Sequence, residues 1–436
     1  MHGTNAHVGA SLDATIIAAL DWSATLVAEA VADDVWAPNE SHLVRPLDKM
    51  LAEAALLAHI ADRALAGEPA VARLLDAIAS RTEDLDRIYE LIAGRPHFWD
   101  SLGFSWVVLG LHGRGDGTKR SRLRELWTSQ VRQPHECIPF RALDHAWVRS
   151  IALNRTDPML DSAGLYACTA LANVEAGFHM KSIDLYAVTH TAMFVTDFGR
   201  TAAPVVPSGW IVPLGLSRLL IGDFDLTAEL AMTAMLLGDA KGDVGMRAMA
   251  SALGTQFAAL GYVPSPTFRT DAYEKSKNKD SYLAYHVYHT TFVFGLLCCV
   301  LRLSADPDPQ LAAELSKTQG ALPTEWDGRR LQIPTVAVQV GHTFQAWREF
   351  DRIVQSESDD RQLLREILDA YLLRAVSENA IDDLASLFGM ARVAGISPIH
   401  DAAWKLVDRR TRLSGYEFSG ASLGIGCAPA EPLPVR

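Results

Sequence analysis

One segment constrains the fold of this chain more than any other. From Ser281 to Ser304 the sequence is apolar on nearly every helical face, yet its first turns read Tyr285-His286-Val287-Tyr288-His289-Thr290-Thr291-Phe292. A helix without a polar side must be enclosed by other helices, so this run is expected as an inner helix. Its polar groups are costly to bury unless paired, so they call for a partner, a metal or a substrate.

Helical periodicity elsewhere supplies the enclosure. Ser11 is a good N-cap for an Ala-rich run to about residue 33. Further helices are expected over 46–66, 69–80 and 82–93, punctuated by Gly67, Pro69 and Gly94. Beyond them the pattern marks 120–132, 141–153, 157–174, 181–197, 208–221, 225–238, 243–260, 281–304, 308–317, 334–355, 359–375, 378–393 and 398–411. Strand signals are few; Ala203 to Pro213 carries β-branched residues, but its prolines spoil a strand. The fold class is therefore all-α, with helical hairpins expected to close into an α/α-toroid-like barrel.

The clearest break is Gly110-Leu111-His112-Gly113-Arg114-Gly115-Asp116-Gly117. Its spacing matches neither the dinucleotide nor the P-loop pattern and no strand precedes it, so a surface loop is expected. Lys119-Arg120-Ser121-Arg122-Leu123-Arg124 follows and reads as a solvated helix start. These signals divide the chain into an N-terminal helical region (1–115), a main all-α domain (120–412) and an irregular tail (413–436).

Charge and cysteine content narrow the partners. The formal net charge is −12 over 436 residues, which disfavours nucleic acid and anionic lipid. Cys137, Cys168, Cys298, Cys299 and Cys427 are odd in number and irregularly spaced, as expected for reduced thiols and not for a disulfide framework. The N-terminus lacks the cationic and apolar sequence of a signal peptide, and the most apolar stretch, Thr291 to Leu301, is too short to span a bilayer. A cytoplasmic protein is expected, without membrane or nucleic-acid partners; a homodimer is left open.

The histidines carry the functional reading. A second phrase runs Tyr186-Ala187-Val188-Thr189-His190-Thr191-Ala192-Met193-Phe194-Val195-Thr196-Asp197-Phe198-Gly199, and a third is Gly341-His342-Thr343-Phe344. His190 and Asp197 share a face but lie about 10 Å apart along a regular helix, so they meet only if the helix ends near Thr196. His286 and His289, three apart, have a usable ligand spacing, with His342 as a further ligand. The expected metal ligands are thus His190, His286, His289, His342 and Asp197, in a site suited to Zn²⁺ or non-haem Fe²⁺. The expected catalytic groups are His190, Asp197, Tyr186 and Tyr288. Asp144-His145, His179 and Asp184 are candidates for the same cavity, and Trp210, Tyr282, Phe292 and Phe344 for its aromatic lining. Asp223-Phe224-Asp225 resembles the aspartate-rich motifs of isoprenoid cyclases but lacks their further acidic residues; Asp225 reads as a helix N-cap.

The phrase from Tyr186 through Gly199, with Tyr288-His289-Thr290 as companion, resembles a motif of an uncharacterised family of helical bacterial proteins found mostly in actinomycetes. The resemblance covers residues 140 to 350 and implies a shared helical domain and a nearby site; no activity comes with it. The likeness to α/α-toroid enzymes is one of fold only. Lanthionine-forming cyclases of that shape use a Cys-His-Cys zinc site, which this chain does not match. Three functions follow as expectations: an enzyme, metal-dependent or not, acting on a small molecule or peptide side chain in specialised metabolism; a metal-free His/Asp/Tyr acid–base lyase or isomerase; or a helical binding or scaffolding protein with structural histidines.

Overall fold

The computed structural model describes residues 2–30, 43–128, 137–202, 204, 209–238, 243–316, 359–378, 387–388 and 397–414. The helices, in chain order, are α1 (His2–Glu29), α2 (Pro46–Ala64), α3 (Pro69–Ser80), α4 (Thr82–Gly94), α5 (Trp99–Leu102), α6 (Phe104–Leu111), α7 (Gly117–Thr128), α8 (Pro139–Leu153), α9 (Ala163–Ala167), α10 (Ser182–Val195), α11 (Ile211–Leu219), α12 (Phe224–Leu237), α13 (Val244–Leu260), α14 (Thr270–Lys275), α15 (Lys279–Leu303), α16 (Pro309–Leu315), α17 (Asp359–Ser377) and α18 (Pro398–Ser414). The described residues contain no strand, so the protein is all-α.

α15 is the inner helix that its sequence demanded. It packs against α1, α2 and α12, and Phe292, Phe294, Leu297, Cys298 and Cys299 are sealed from solvent. Two segments, 11–29 and α15, are long and apolar enough to cross a membrane by length and composition alone. For α15, 83% of that window is buried inside the protein, which accounts for its apolarity without a membrane. One hydrophobic core runs from Leu12 to Val407 and takes in the helices on both sides of the 110–117 loop. These contacts describe a bundle organised on α15, without showing the ring closure of a toroid.

Local chemistry explains the helix ends. Pro46 starts α2 at the position where its missing N–H costs nothing, and Asp48 accepts the Arg45 N–H at 2.9 Å. Asp48 is fully buried and is also held by the Arg45 and Arg87 guanidiniums. The expected helix over 157–174 is instead a series of short turns. Asp157 accepts from Met159 N, Ser162 from Leu165 N, and Asn173 Nδ2 donates back to Ala167 O and Thr169 O. Each bond offers the backbone an alternative to a continuous helix. Conversely, Phe104 to Leu111, given no element by periodicity, is the short buried helix α6. The expected helix 334–355, most of 378–393, the tail beyond residue 414, and His342 and Phe344 lie outside the described residues.

Candidate functional site

Four helices bring a half-buried acid–histidine cluster together. On α12, Asp223 is the N-cap, its carboxylate accepting from Leu226 N at 3.2 Å. Asp225 is therefore not spent on capping and turns inward, with Glu229 one turn later on the same face. Both are buried, at 3% and 1% exposure. α2 contributes Lys49 and Glu53, α10 contributes Tyr186, Thr189 and His190, and α15 contributes His289 and Thr290.

His289 is the hub. Its Nδ1 lies 2.9 Å from Glu53 Oε2, and Glu53 Oε1 is 3.2 Å from Lys49 Nζ. Its other nitrogen, Nε2, lies 3.5 Å from Asp225 Oδ1 and 3.9 Å from Glu229 Oε1. His190 Nε2 approaches that same Glu229 oxygen from α10 at 3.7 Å. Hydroxyls satisfy the remaining carboxylate oxygens. Tyr186 Oη donates to Asp225 Oδ2 at 2.5 Å, Thr290 Oγ1 to Asp225 Oδ1 at 3.3 Å, and Thr189 Oγ1 to Glu229 Oε2. The rings of Phe140, Tyr186 and Phe194 pack edge-on around His190, at 5.9, 6.2 and 5.9 Å between centroids.

The electrostatics follow from this crowding. Burial alone would raise Glu53, but the His289 and Lys49 charges outweigh it and hold the carboxyl at about 2. Burial would likewise lower His289, but Asp225 and Glu53 lift it to about 9. Of the two α12 carboxylates, Asp225 is raised, by burial and by the charge of Glu229. Glu229 is lowered despite its burial, because both histidines and the Thr189 hydroxyl favour its charge. Burial also raises Asp144 of α8, against the opposing charges of Arg141 and His190. Burial pushes the Tyr186 hydroxyl well up, reinforced by the negative charge of Asp225.

Of the residues singled out by sequence, His190, His289 and Tyr186 converge here. Asp197 lies elsewhere. α10 does end near Thr196, but Asp197 Oδ1 accepts from Arg63 Nη1 at 3.1 Å and Trp147 Nε1 at 2.8 Å, tying α10 to α2 and α8. His286 points to another neighbourhood, 2.9 Å from Thr267 Oγ1 and packed in a tilted contact on Tyr282, 4.2 Å between ring centroids. Tyr288 is buried against Phe292, and burial raises its hydroxyl. Asp184 serves the start of α10, accepting from Lys181 N. Trp210 packs on Phe178 and Phe292 on Trp22, away from the cluster.

The sequence profile of a family described as a domain of unknown function (DUF6895) matches residues 17–299. The chain belongs to this family. No curated protein and no solved structure matches it. The DUF6895 match begins in α1, well before residue 140, and includes every residue of the cluster, ending within α15.

Glu53, Asp225 and Glu229 are the residues of this cluster that sequence reasoning missed. A usable signal was present. Asp225 and Glu229 stand at i and i+4 in an otherwise apolar helix, Phe224-Asp225-Leu226-Thr227-Ala228-Glu229-Leu230-Ala231-Met232. Carboxylates one turn apart on a helix with no solvated face need a shared partner. One donor atom each from Asp225, Glu229 and His289 lies within 4.8 Å of the others, close enough to surround a cation. The set is one imidazole and two carboxylates, which suits Zn²⁺ or Fe²⁺ with positions left open.

Proposed function

We propose that this protein is a soluble, cytoplasmic metal-dependent enzyme whose Asp225, Glu229 and His289 hold Zn²⁺ or Fe²⁺. One observation carries the reading. His289 Nε2 stands 3.5 and 3.9 Å from two carboxylate oxygens, too far for good hydrogen bonds. Donors with bonds of about 2.1 Å to one central cation are separated by roughly 3.0–3.4 Å, near these values. Glu53 adds the outer support typical of such ligands, taking the Nδ1 proton and leaving the Nε2 lone pair for a cation. His190 lacks that support, because its buried Nδ1 has no hydrogen-bond partner among the described residues. It is therefore assigned as a proton carrier, not a ligand, with its Nε2–H directed to Glu229.

Bound there, the metal would supply Lewis acidity, activating a water or polarising a carbonyl. The chain's own groups do the rest. Glu53 fixes the His289 tautomer, Tyr186 holds its proton against Asp225 Oδ2, and the Phe140 and Phe194 rings flank the His190 imidazole edge-on. The substrate class in this reading is a small molecule or peptide side chain.

A metal-free reading is favoured by the placing of His289 between Glu53 and Asp225, whose charges raise it to about 9. An imidazolium among three carboxylates, with the Tyr186–Asp225 pair beside it, is a workable acid–base centre for a lyase or isomerase. Metal analysis of untagged protein separates the two. The metal reading predicts Zn or Fe in about one equivalent, lost in both Glu229→Gln and His289→Ala at retained helicity. Metal-free, well-folded protein that still fails to take up Zn²⁺ or Fe²⁺ in titration would sink it.

A further inference from the structure

Two features that read as punctuation in the sequence, the glycine loop 110–117 and the basic start of α7, meet in space. α6, α7 and α8 flank an open cavity of about 360 Å³ whose lining includes Trp106, Gly110, Arg120, Ser121, Arg124 and Trp127. Gly110 makes room for it. A Cβ there would lie 2.7 Å from Arg120 Cδ, so the arginine stem crosses α6 only because residue 110 has no side chain. Arg120 Nη1 then donates to Gly110 O at 2.9 Å, which pins the guanidinium and uses one of its five N–H donors.

The neighbouring charges are distributed in a telling way. Lys119 is paired with Asp86, and Arg122 bonds Tyr89. The Asp116 carboxylate caps the first turn of α7 through Thr118 N and Lys119 N, so the helix end is already satisfied by the chain. Arg120 and Arg124, one turn apart, are left to the cavity. Its lining includes two arginines, a serine and two tryptophans and, among the described residues, no acidic residue, in a chain of net charge −12. Trp127 is 6% exposed, and its indole Nε1 is buried without a hydrogen-bond partner among the described residues, an unmet donor at the same place.

We propose that this cavity binds a small organic anion, a single flat ring bearing a carboxylate or phosphate. The head would take paired N–H groups from Arg120 and Arg124, and the ring would lie against the Trp106 and Trp127 indoles. A volume near 360 Å³ is at the small end for ligand sites and fits one ring. The cavity is separate from the acid–histidine cluster. Along α8, Ala152 at the cavity is eight residues from Asp144 beside His190, about 12 Å of helix.

Calorimetric titration of the full-length protein with benzoate, phenyl phosphate, inorganic phosphate and neutral benzamide tests this. Both aromatic anions are expected to bind, with benzamide and inorganic phosphate each at least tenfold weaker. Arg124→Gln, at an exposed position, should weaken both aromatic anions at least tenfold with an unchanged melting temperature. Ser121→Trp, also exposed, should fill the cavity and abolish binding. The proposal is overturned by benzamide binding as well as benzoate, by inorganic phosphate binding as well as phenyl phosphate, or by affinities unmoved in both variants. Absence of binding by either aromatic anion up to about 10 mM overturns it too.

Discussion

Replacing Asp197 separates a clasp from a catalytic group. The residue sits in the left-handed region at φ +46°, followed by Phe198 at +50° and Gly199 at +86°. Its carboxylate accepts from Arg63 and Trp147, and its carbonyl accepts from Arg63 Nη2 at 3.0 Å. Hydrogen bonds to a charged group contribute about 1.5–3 kcal/mol each, toward the lower end here because the carboxylate is 24% exposed. Asp197→Ala loses both and leaves the Trp147 N–H without its acceptor, for about 3 kcal/mol. Placing alanine at positive φ adds about 1 kcal/mol. Asp197→Asn keeps an acceptor oxygen and tolerates the left-handed conformation, so only the charge is lost, about 1 kcal/mol. Urea unfolding should therefore show the alanine variant about 3 kcal/mol less stable than the asparagine variant, with similar slopes. Metal content of Asp197→Asn should match the parent. Equal, small losses in the two variants would refute the clasp, and an asparagine variant that is stable yet cannot bind metal would return Asp197 to the site.

Three further outcomes follow from the same reasoning. Glu53→Gln should weaken Zn²⁺ or Fe²⁺ binding about 10- to 100-fold while the fold persists, because His289 loses its orienting carboxylate; undiminished affinity in competition with a chelator contradicts that role. Glu366 is raised to about 7 by burial and by the neighbouring Asp243 charge, and accepts from Gly245 N at 2.8 Å. Since its folded value exceeds its unfolded one, the stability it contributes is full below about pH 4.5 and is lost as pH rises through about 7, by at most ~1.4 kcal/mol per pH unit. Urea midpoints measured across that window should lose this decline in Glu366→Gln, and an identical decline in the variant would count against it. A Cβ at Gly254 would stand 2.2 Å from the Glu314 carbonyl oxygen, so Gly254→Ala must push α13 from α16 and lower stability by about 1–3 kcal/mol, read as a drop in melting temperature; an unchanged melting temperature would contradict so tight an approach.

The helices were legible because each is written locally, whereas the cluster is written across four of them. Gly238 and Gly261 close α12 and α13 in the left-handed conformation within a residue of where periodicity ends them, and α15 was recognisable because no face of it could meet water. His190 and His289 were recognisable for the same reason, as polar groups in apolar surroundings. The pairing of histidines with one another was not. His286 and His289 are neighbours in helical projection, yet one turns to Thr267 and Tyr282 and the other to Glu53, Asp225 and Glu229. Sequence spacing fixes which residues share a face; it does not say which face a neighbouring helix covers. Asp225 was misassigned as a cap because Asp223, two residues earlier, takes that bond, and a choice between two aspartates is decided by backbone geometry. Glu53 carries no local signature at all in Ala52-Glu53-Ala54-Ala55, since a lone glutamate in a helix is ordinary until the helix is known to be buried. A half-buried carboxylate on an amphipathic helix is thus the weakest sequence signal and the strongest structural one, because its partial desolvation must be met by a partner that the rest of the fold supplies. Here that partner is His289, and Glu53→Gln is the substitution that most directly measures its worth.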